Sequence, residues 1–421
     1  MDWTRREFAA LVAAGFIAPS ALMAAPNVAS KRKFLFVFAA GGWDPTWVFA
    51  PMFGRSGIDV DTGSTTSTQS GIEFVDSQDR PSVRAFFQRY GSRTCVLNGM
   101  EVRSITHDTC RRLVLTGSTQ AQADDWPAIL AGESSGFTLP CLVLSGPSYT
   151  SKHPTVVVRA GETGQLSKLL SGSALQESDS ILSGFDPRMT DLVSAHVNSR
   201  AGTFAGLHTG VGEAGFVRDL ANAHEQLALV RDLSELDLGS VDTSGYVPVS
   251  QRVSPAITCF RQGITRCATV KHEGLWGTGW DTHAAIQLQS DHYETLFADL
   301  LLIQEMLETT PGEVEATLAD EVVMVVFSEM GRTPKVNARG GKDHWTDTSA
   351  MILGPGVSGG RVIGAYDDVL LGRRVDLASG ELSESGSRLT SAHLGATILA
   401  LGDVDPGDYL GSVPPIGAVL G

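Results

Sequence analysis

The sequence predicts an α/β fold built on buried parallel strands, and three observations carry that expectation. The runs Lys33-Phe34-Leu35-Phe36-Val37-Phe38-Ala39 and Glu321-Val322-Val323-Met324-Val325-Val326-Phe327 are continuously apolar, without the alternation of a half-exposed strand. Segments of helical periodicity lie between such runs, so strand and helix alternate over most of the chain. Both runs end in glycine or polar residues, Gly41-Gly42-Trp43-Asp44 and Ser328-Glu329, at the carboxyl end of a strand, where open α/β sheets bind ligands.

Taken in order, the chain starts with Thr4-Arg5-Arg6-Glu7-Phe8, an arginine pair in a short polar stretch. Phe8 to Ala24 then runs apolar and uncharged until Ala24-Ala25-Pro26 offers small residues for cleavage. That order predicts a twin-arginine signal over residues 1–25, engagement of the twin-arginine translocase in the folded state, and a periplasmic or extracellular location. The apolar run carries Gly15, Pro19 and Ser20 and falls short of the ~20 residues of a spanning helix, so no stable membrane span is expected after cleavage.

Residues 33–421 are then read as a single domain. The strand at Lys33–Ala39 delivers Asp44. Residues 56–71 are rich in Ser, Thr and Gly and read as a loop insertion, with a second, glycine-rich and partly helical insertion near 145–250. Shorter strands are expected at Cys95–Leu97, Cys141–Leu144 and Ala350–Leu353. Helices are expected around Phe216, Leu220, Ala223, Leu227 and Val230, and around Tyr293, Leu296, Leu300, Ile303 and Leu307, both with core-facing stripes. A third spans Leu389 to Leu401, and Gly402 terminates it.

The net charge is −15, and removing residues 1–25 takes equal numbers of each sign (Arg5, Arg6, Asp2, Glu7), so the mature chain keeps it. This disfavours nucleic acid and anionic lipid, which need Lys and Arg to neutralise phosphates. An anionic substrate needs a local basic pocket. The five cysteines, Cys95, Cys110, Cys141, Cys259 and Cys267, form no CxxC, and both a Cys259–Cys267 bridge and separate buried thiols fit their spacing.

Metal-ligand residue types gather beside glycine and tryptophan in three places: Trp43-Asp44, Gly279-Trp280-Asp281-Thr282-His283, and Glu329 with Lys342-Asp343-His344-Trp345. Carboxylate oxygens with imidazole nitrogens suit zinc, manganese or iron, and fewer imidazoles shift the preference to magnesium or calcium. The bland alternative is that such residues cap turns.

Together, Thr4-Arg5-Arg6-Glu7-Phe8, Trp280-Asp281-Thr282-His283, Ser328-Glu329-Met330-Gly331-Arg332-Thr333-Pro334, Lys342-Asp343-His344-Trp345 and Gly359-Gly360-Arg361-Val362-Ile363-Gly364 resemble the exported bacterial proteins grouped as domain of unknown function 1501. That family looks like a branch of the alkaline phosphatase and sulfatase superfamily. The resemblance implies an alkaline phosphatase-like fold, with a central, largely parallel mixed sheet flanked by helices on both faces. It also implies one or two divalent metal ions and hydrolysis of a small anionic phosphate or sulfate ester. By matching positions, Asp44, Asp281, His283, Glu329, Asp343 and His344 become the implied ligand set. Met330 stands where the superfamily usually has a histidine and is a poor ligand for such ions. Arg111 to Gly117 resembles the sulfatase stretch after the nucleophile, which places His107 at the nucleophile position. His107, or a hydroxyl of Thr106 or Thr109, is then the candidate attacking group, with Arg111 neutralising developing charge. His107 as another metal ligand is the alternative. Arg332 either clamps an anion or pairs with a carboxylate. An exported binding or assembly factor without catalysis is the competing reading of the whole chain.

Overall fold

The computed structural model describes residues 31–160 and 247–421, and between them only positions 192, 195, 196, 199 and 200. The expected export signal, the helix around Phe216–Val230 and most of the second insertion lie outside the described residues.

Eight strands form the central sheet: β1 (Lys33–Ala39), β2 (Thr94–Glu101), β3 (Cys141–Val143), β4 (Val157–Arg159), β5 (Cys267–His272), β6 (Val322–Ser328), β7 (Asp347–Leu353) and β8 (Arg361–Ile363). They lie in the order β8-β2-β7-β6-β1-β5-β3-β4. Only β7 runs antiparallel to its neighbours β2 and β6, so the sheet is mixed but largely parallel, and the expected α/β architecture is borne out. Each strand expected from an apolar run is present.

The continuous run of β1 is explained by what covers it. Leu35, Val37 and Ala39 pack into one apolar cluster, and Phe34, Phe36 and Phe38 into another on the opposite face. Helices α1 (Pro81–Tyr90), α4 (Ser254–Arg261) and α5 (Leu288–Thr309) supply the first cluster. Helices α2 (His107–Thr116), α3 (Trp126–Gly132) and α6 (Ser391–Leu401) supply the second. With helices on both faces neither side chain row meets water, which is why alternation is missing.

Helix α5 buries Tyr293, Leu296, Leu300, Ile303 and Leu307 at the spacing the sequence shows. Helix α6 stops at Gly402, as expected, although with φ −91° rather than in the left-handed conformation a terminal glycine usually supplies. The stretch 56–71 is loop as far as Ser64, after which Thr65–Gln69 pairs with Ile72–Asp76 in a hairpin. All five cysteines are free and buried, which settles the open choice in favour of separate thiols. Among the described residues no helix is long and apolar enough to cross a membrane.

Strand β5 was not visible as an apolar run because it ends Lys271-His272, yet it lies directly beside β1. His272 is fully buried, its Nδ1 accepting from Trp280 Nε1 at 3.1 Å and Gly274 N at 3.2 Å. His292 on α5 is buried nearby and accepts from Leu275 N at 2.9 Å through Nδ1. Burial above all, with Arg252 also contributing, lowers His272 to about 3. Burial lowers His292 to about 4. Both rings are neutral in the fold and become charged in the unfolded chain below about 6.5. Their contribution to stability is therefore complete above pH 6.5 and is lost as pH falls towards 4, at up to roughly 1.4 kcal/mol per pH unit for each ring. Asp125, raised to about 6 by burial, and Asp299, also raised by burial, oppose this as pH falls, so the net loss is smaller than the two imidazoles alone would give. Denaturant unfolding at pH 7.0, 5.5 and 4.5 is expected to show falling midpoints, with the two ring signals in NMR spectra unchanged between pH 8 and 5.

Candidate metal centre

Three carboxyl strand ends build the centre. Beyond β1 the backbone turns through Gly41 and Gly42, with φ +129° and +88°. A Cβ on Gly41 would stand 2.7 Å from Asp281 N, so only glycine lets the β1 turn and the Trp280-Asp281 segment approach this closely. Beyond β6, Glu329 is wholly buried, and both its oxygens accept from Gly41 N at 2.9 Å. His344 lies on a two-residue strand, His344–Trp345, paired antiparallel with Gly331–Arg332. Helix α2 begins at His107, with Thr106 as its N-cap residue, and ends in left-handed Gly117 (φ +68°).

Asp281 is the hub of the cluster. His283 Nε2 lies 3.1 Å and His344 Nε2 3.2 Å from its Oδ1, while His107 Nε2 lies 3.3 Å from its Oδ2. The Nε2 atoms of His283 and His344 are 3.0 Å apart. Donor atoms of His107, Asp281 and His344 all fall within 4.8 Å of one another, close enough to share one ion. The partners of the outer nitrogens fix the rings. His283 Nδ1 faces Asp343 Oδ1 at 2.8 Å, His344 Nδ1 faces the carbonyl of Ile105 at 2.7 Å, and His107 Nδ1 faces Glu329 Oε1 at 3.0 Å. Such outer partners set the tautomer that leaves Nε2 toward an ion.

Charges follow from this packing. Hydrogen bonds to Asp281 and then Glu329 raise His107 to about 9. Burial alone would raise Asp281, but His107, His344 and Arg332 together hold it far below the usual carboxylate range. Glu329 is likewise pushed up by burial but held below its ordinary value by His107 and Gly41 N–H. The result is an ionised carboxylate ringed by three imidazoles, a donor set suited to zinc or manganese.

The implied residues thus divide. Asp281, His283 and His344 converge, with Asp343 behind His283 and Glu329 behind His107. Asp44 does not join them: its Oδ2 is 2.7 Å from Lys342 Nζ, and its Oδ1 accepts from Thr46 N and Thr46 Oγ1 at 3.0 and 2.7 Å. An ammonium therefore stands where the resemblance implied a metal ion, a correction that sequence spacing could not supply. His107 has both nitrogens facing carboxylates, Nδ1 toward Glu329 and Nε2 toward Asp281. The Thr106 hydroxyl lies 3.4 Å from Ser104 Oγ, and Thr109 is half-buried. Met330 is buried against Val102 and Cys110, and burial pushes the Cys110 thiol up to about 11. Arg332 pairs with Asp281 at 2.8 Å, the second of its two expected roles.

Beside the cluster opens a cleft of about 660 Å³, whose wall includes His107, Asp281, Arg111, Lys271 and Glu273 with Gly41, Gly146, Gly277 and Gly279. Arg111 Nε lies 3.5 Å from Glu329 Oε1, and Lys271 is ion-paired with Glu273. Lys271 lies in no motif read from the sequence, and although Lys342 and Gly41 fall within the runs 342–345 and 41–44, nothing in those runs singles out the Lys342 ammonium or the Gly41 main chain.

The family described as "Protein of unknown function (DUF1501)" matches residues 258–378, the segment carrying Asp281, His283, Glu329, Asp343 and His344, so the resemblance is borne out there. No curated protein matches the chain. Similar solved structures include the lipoteichoic acid synthase LtaP from Listeria monocytogenes, 8% identical over 93% of this chain and 77% of that one, with a TM-score of 0.40. The PsFucS1 sulfatase from Pseudoalteromonas sp. is 8% identical over 100% and 77%, with a TM-score of 0.37. The integral membrane lipooligosaccharide phosphoethanolamine transferase A from Neisseria meningitidis is 10% identical over 99% and 65%, with a TM-score of 0.38.

Arg332 is wholly buried and holds Asp281 together with four main-chain carbonyls. Arg332→Ala leaves those groups unpaired and is expected to cost roughly 3–5 kcal/mol in urea unfolding. Arg332→Lys, which cannot span the same fork, is expected to recover less than half of that.

Proposed function

We propose that this protein is a hydrolase of phosphate or sulfate esters, dependent on a divalent ion held by His107, Asp281 and His344, and acting outside the cytoplasm after twin-arginine export. One observation carries the reading: donor atoms of two imidazoles and a carboxylate, brought from three separate parts of the chain, lie within 4.8 Å of one another beside an open cleft. His283 completes the set, and zinc or manganese suits it better than magnesium or calcium.

Bound there, such an ion supplies Lewis acidity to an ester oxygen and to water. The chain supplies the rest. Glu329, ionised and buried, fixes the His107 ring and lies 3.5 Å from Arg111 Nε, keeping the guanidinium on the wall of the cleft. Arg111 is placed to receive an anionic group and to offset charge that develops on it. The glycines of the wall let main-chain N–H groups approach a substrate where a Cβ would intervene. With its pKa raised to about 9, the His107 ring is protonated at neutral pH, so holding an ion through it would require that proton to leave.

Met330 and the two-carboxylate engagement of His107 favour a second reading, a metal-holding export factor without turnover, because the side-chain partners of His107, Asp281, His283 and His344 among the described residues include no hydroxyl.

Metal analysis of the mature protein with an aryl phosphate and aryl sulfate screen separates these readings. The expected result is a bound divalent ion and turnover that Asp281→Asn lowers by roughly a hundredfold or more, together with the ion content. Arg111→Ala is expected to lower kcat/KM by about 10²-fold with the ion retained. An ion without turnover on any ester leaves the binding factor, and a protein that takes up no divalent ion contradicts both.

A further inference from the structure

A second cation cage lies behind the centre, and the chain fills it with a cation of its own. Lys342 is 1% exposed, and its ammonium is surrounded by oxygens: Asp44 Oδ2 at 2.7 Å, the carbonyl of Asp59 at 2.8 Å and Thr46 Oγ1 at 3.4 Å. Asp44 itself has no exposed surface. A carboxylate, a carbonyl and a hydroxyl with no nitrogen or sulfur form the donor set of a hard divalent cation. As a device for holding a loop, a buried ion pair is poor, because desolvation consumes most of its attraction.

The cage is continuous with the centre. Lys342 precedes Asp343 and His344, whose side chains fix and extend the ligand cluster. Its carbonyl accepts from Arg332 Nη1 at 3.2 Å, and Arg332 Nη2 reaches Asp281 Oδ1 at 2.8 Å. Asp44 follows Gly42, whose carbonyl accepts from Arg332 Nε at 2.8 Å. The two cation positions are thus the ends of one array joined by one guanidinium.

We propose that the Lys342 ammonium is a built-in replacement for a second divalent cation, so that this chain works with a single exchangeable ion. The His–Asp cluster takes that ion, and the oxygen cage, relieved of its lysine, becomes a site for a hard cation such as calcium. The inference rests on the proposed centre only for the first of these ions.

The test counts ions and follows thermal stability. Native mass spectrometry of wild-type protein in excess zinc is expected to show one ion per chain, and Asp44→Asn to leave that count unchanged. Zinc-loaded Lys342→Ala is expected to gain a calcium-dependent rise in Tm of about 3 °C or more at millimolar calcium, absent from wild type and from Lys342→Ala/Asp44→Asn. The double variant carries no unpaired carboxylate and so reports on folding. Two ions in wild type, one of them lost in Asp44→Asn, would overturn the proposal, as would a folded Lys342→Ala indifferent to calcium. If Lys342→Ala fails to fold, the wild-type and Asp44→Asn counts decide. A wild type with no ion at all contradicts the cluster, while the calcium difference between variant and wild type still decides the role of Lys342.

Discussion

The guanidinium of Arg332 is the interaction on which the centre depends. It lies wholly inside the protein and donates to the carbonyls of Gly41, Gly42, Trp280 and Lys342 while pairing with Asp281. Those partners belong to the turn after β1, the segment after β5 and the loop before His344, so one planar cation holds three strand exits together. A fork of fixed geometry suits this task because its donors point in several directions at once. Main-chain carbonyls would otherwise be left without partners where the chain leaves the sheet.

This arrangement explains how a chain of net charge −15 can be read as a binder of anions. Whatever the balance of the whole chain, cations stand at the centre or on the cleft wall: Arg332 and Lys342 buried, Arg111 partly exposed, Lys271 paired with Glu273. Local field in a site of low dielectric outweighs distant charge that solvent and salt screen. Gln289 adds a neutral tie, accepting from Asp44 N at 2.9 Å and donating to the Trp280 carbonyl at 3.0 Å and Thr282 Oγ1 at 3.1 Å, so α5 grips both cation positions.

Much of this was legible in the sequence where burial is uniform or a period is strong. β1 and β6 announced themselves because both faces are covered, and α5 because its stripe is regular. Asp281, His283 and His344 were readable from residue type beside glycine. The fate of Asp44 was not, because Lys342 lies 298 residues away and nothing local distinguishes a carboxylate that meets an ammonium from one that meets an ion. His107 followed the same logic: its spacing from Gly117 put it at the nucleophile position that the resemblance implies, but only the fold shows Glu329 and Asp281 on either side of the ring. β5 escaped notice since Lys271 and His272 interrupt its apolar character at the end that faces the site.

The position of β1 has a consequence for how the chain is made. Its two neighbours are Cys267–His272 and Val322–Ser328, both from the second half of the chain. During synthesis this seven-residue apolar strand emerges first and waits, both edges unpaired, until most of the protein has followed. Sheets of such long-range pairing close late, and open apolar edges invite other chains in the meantime. A fragment that ends before Cys267 therefore carries this apolar strand with neither of its partners present.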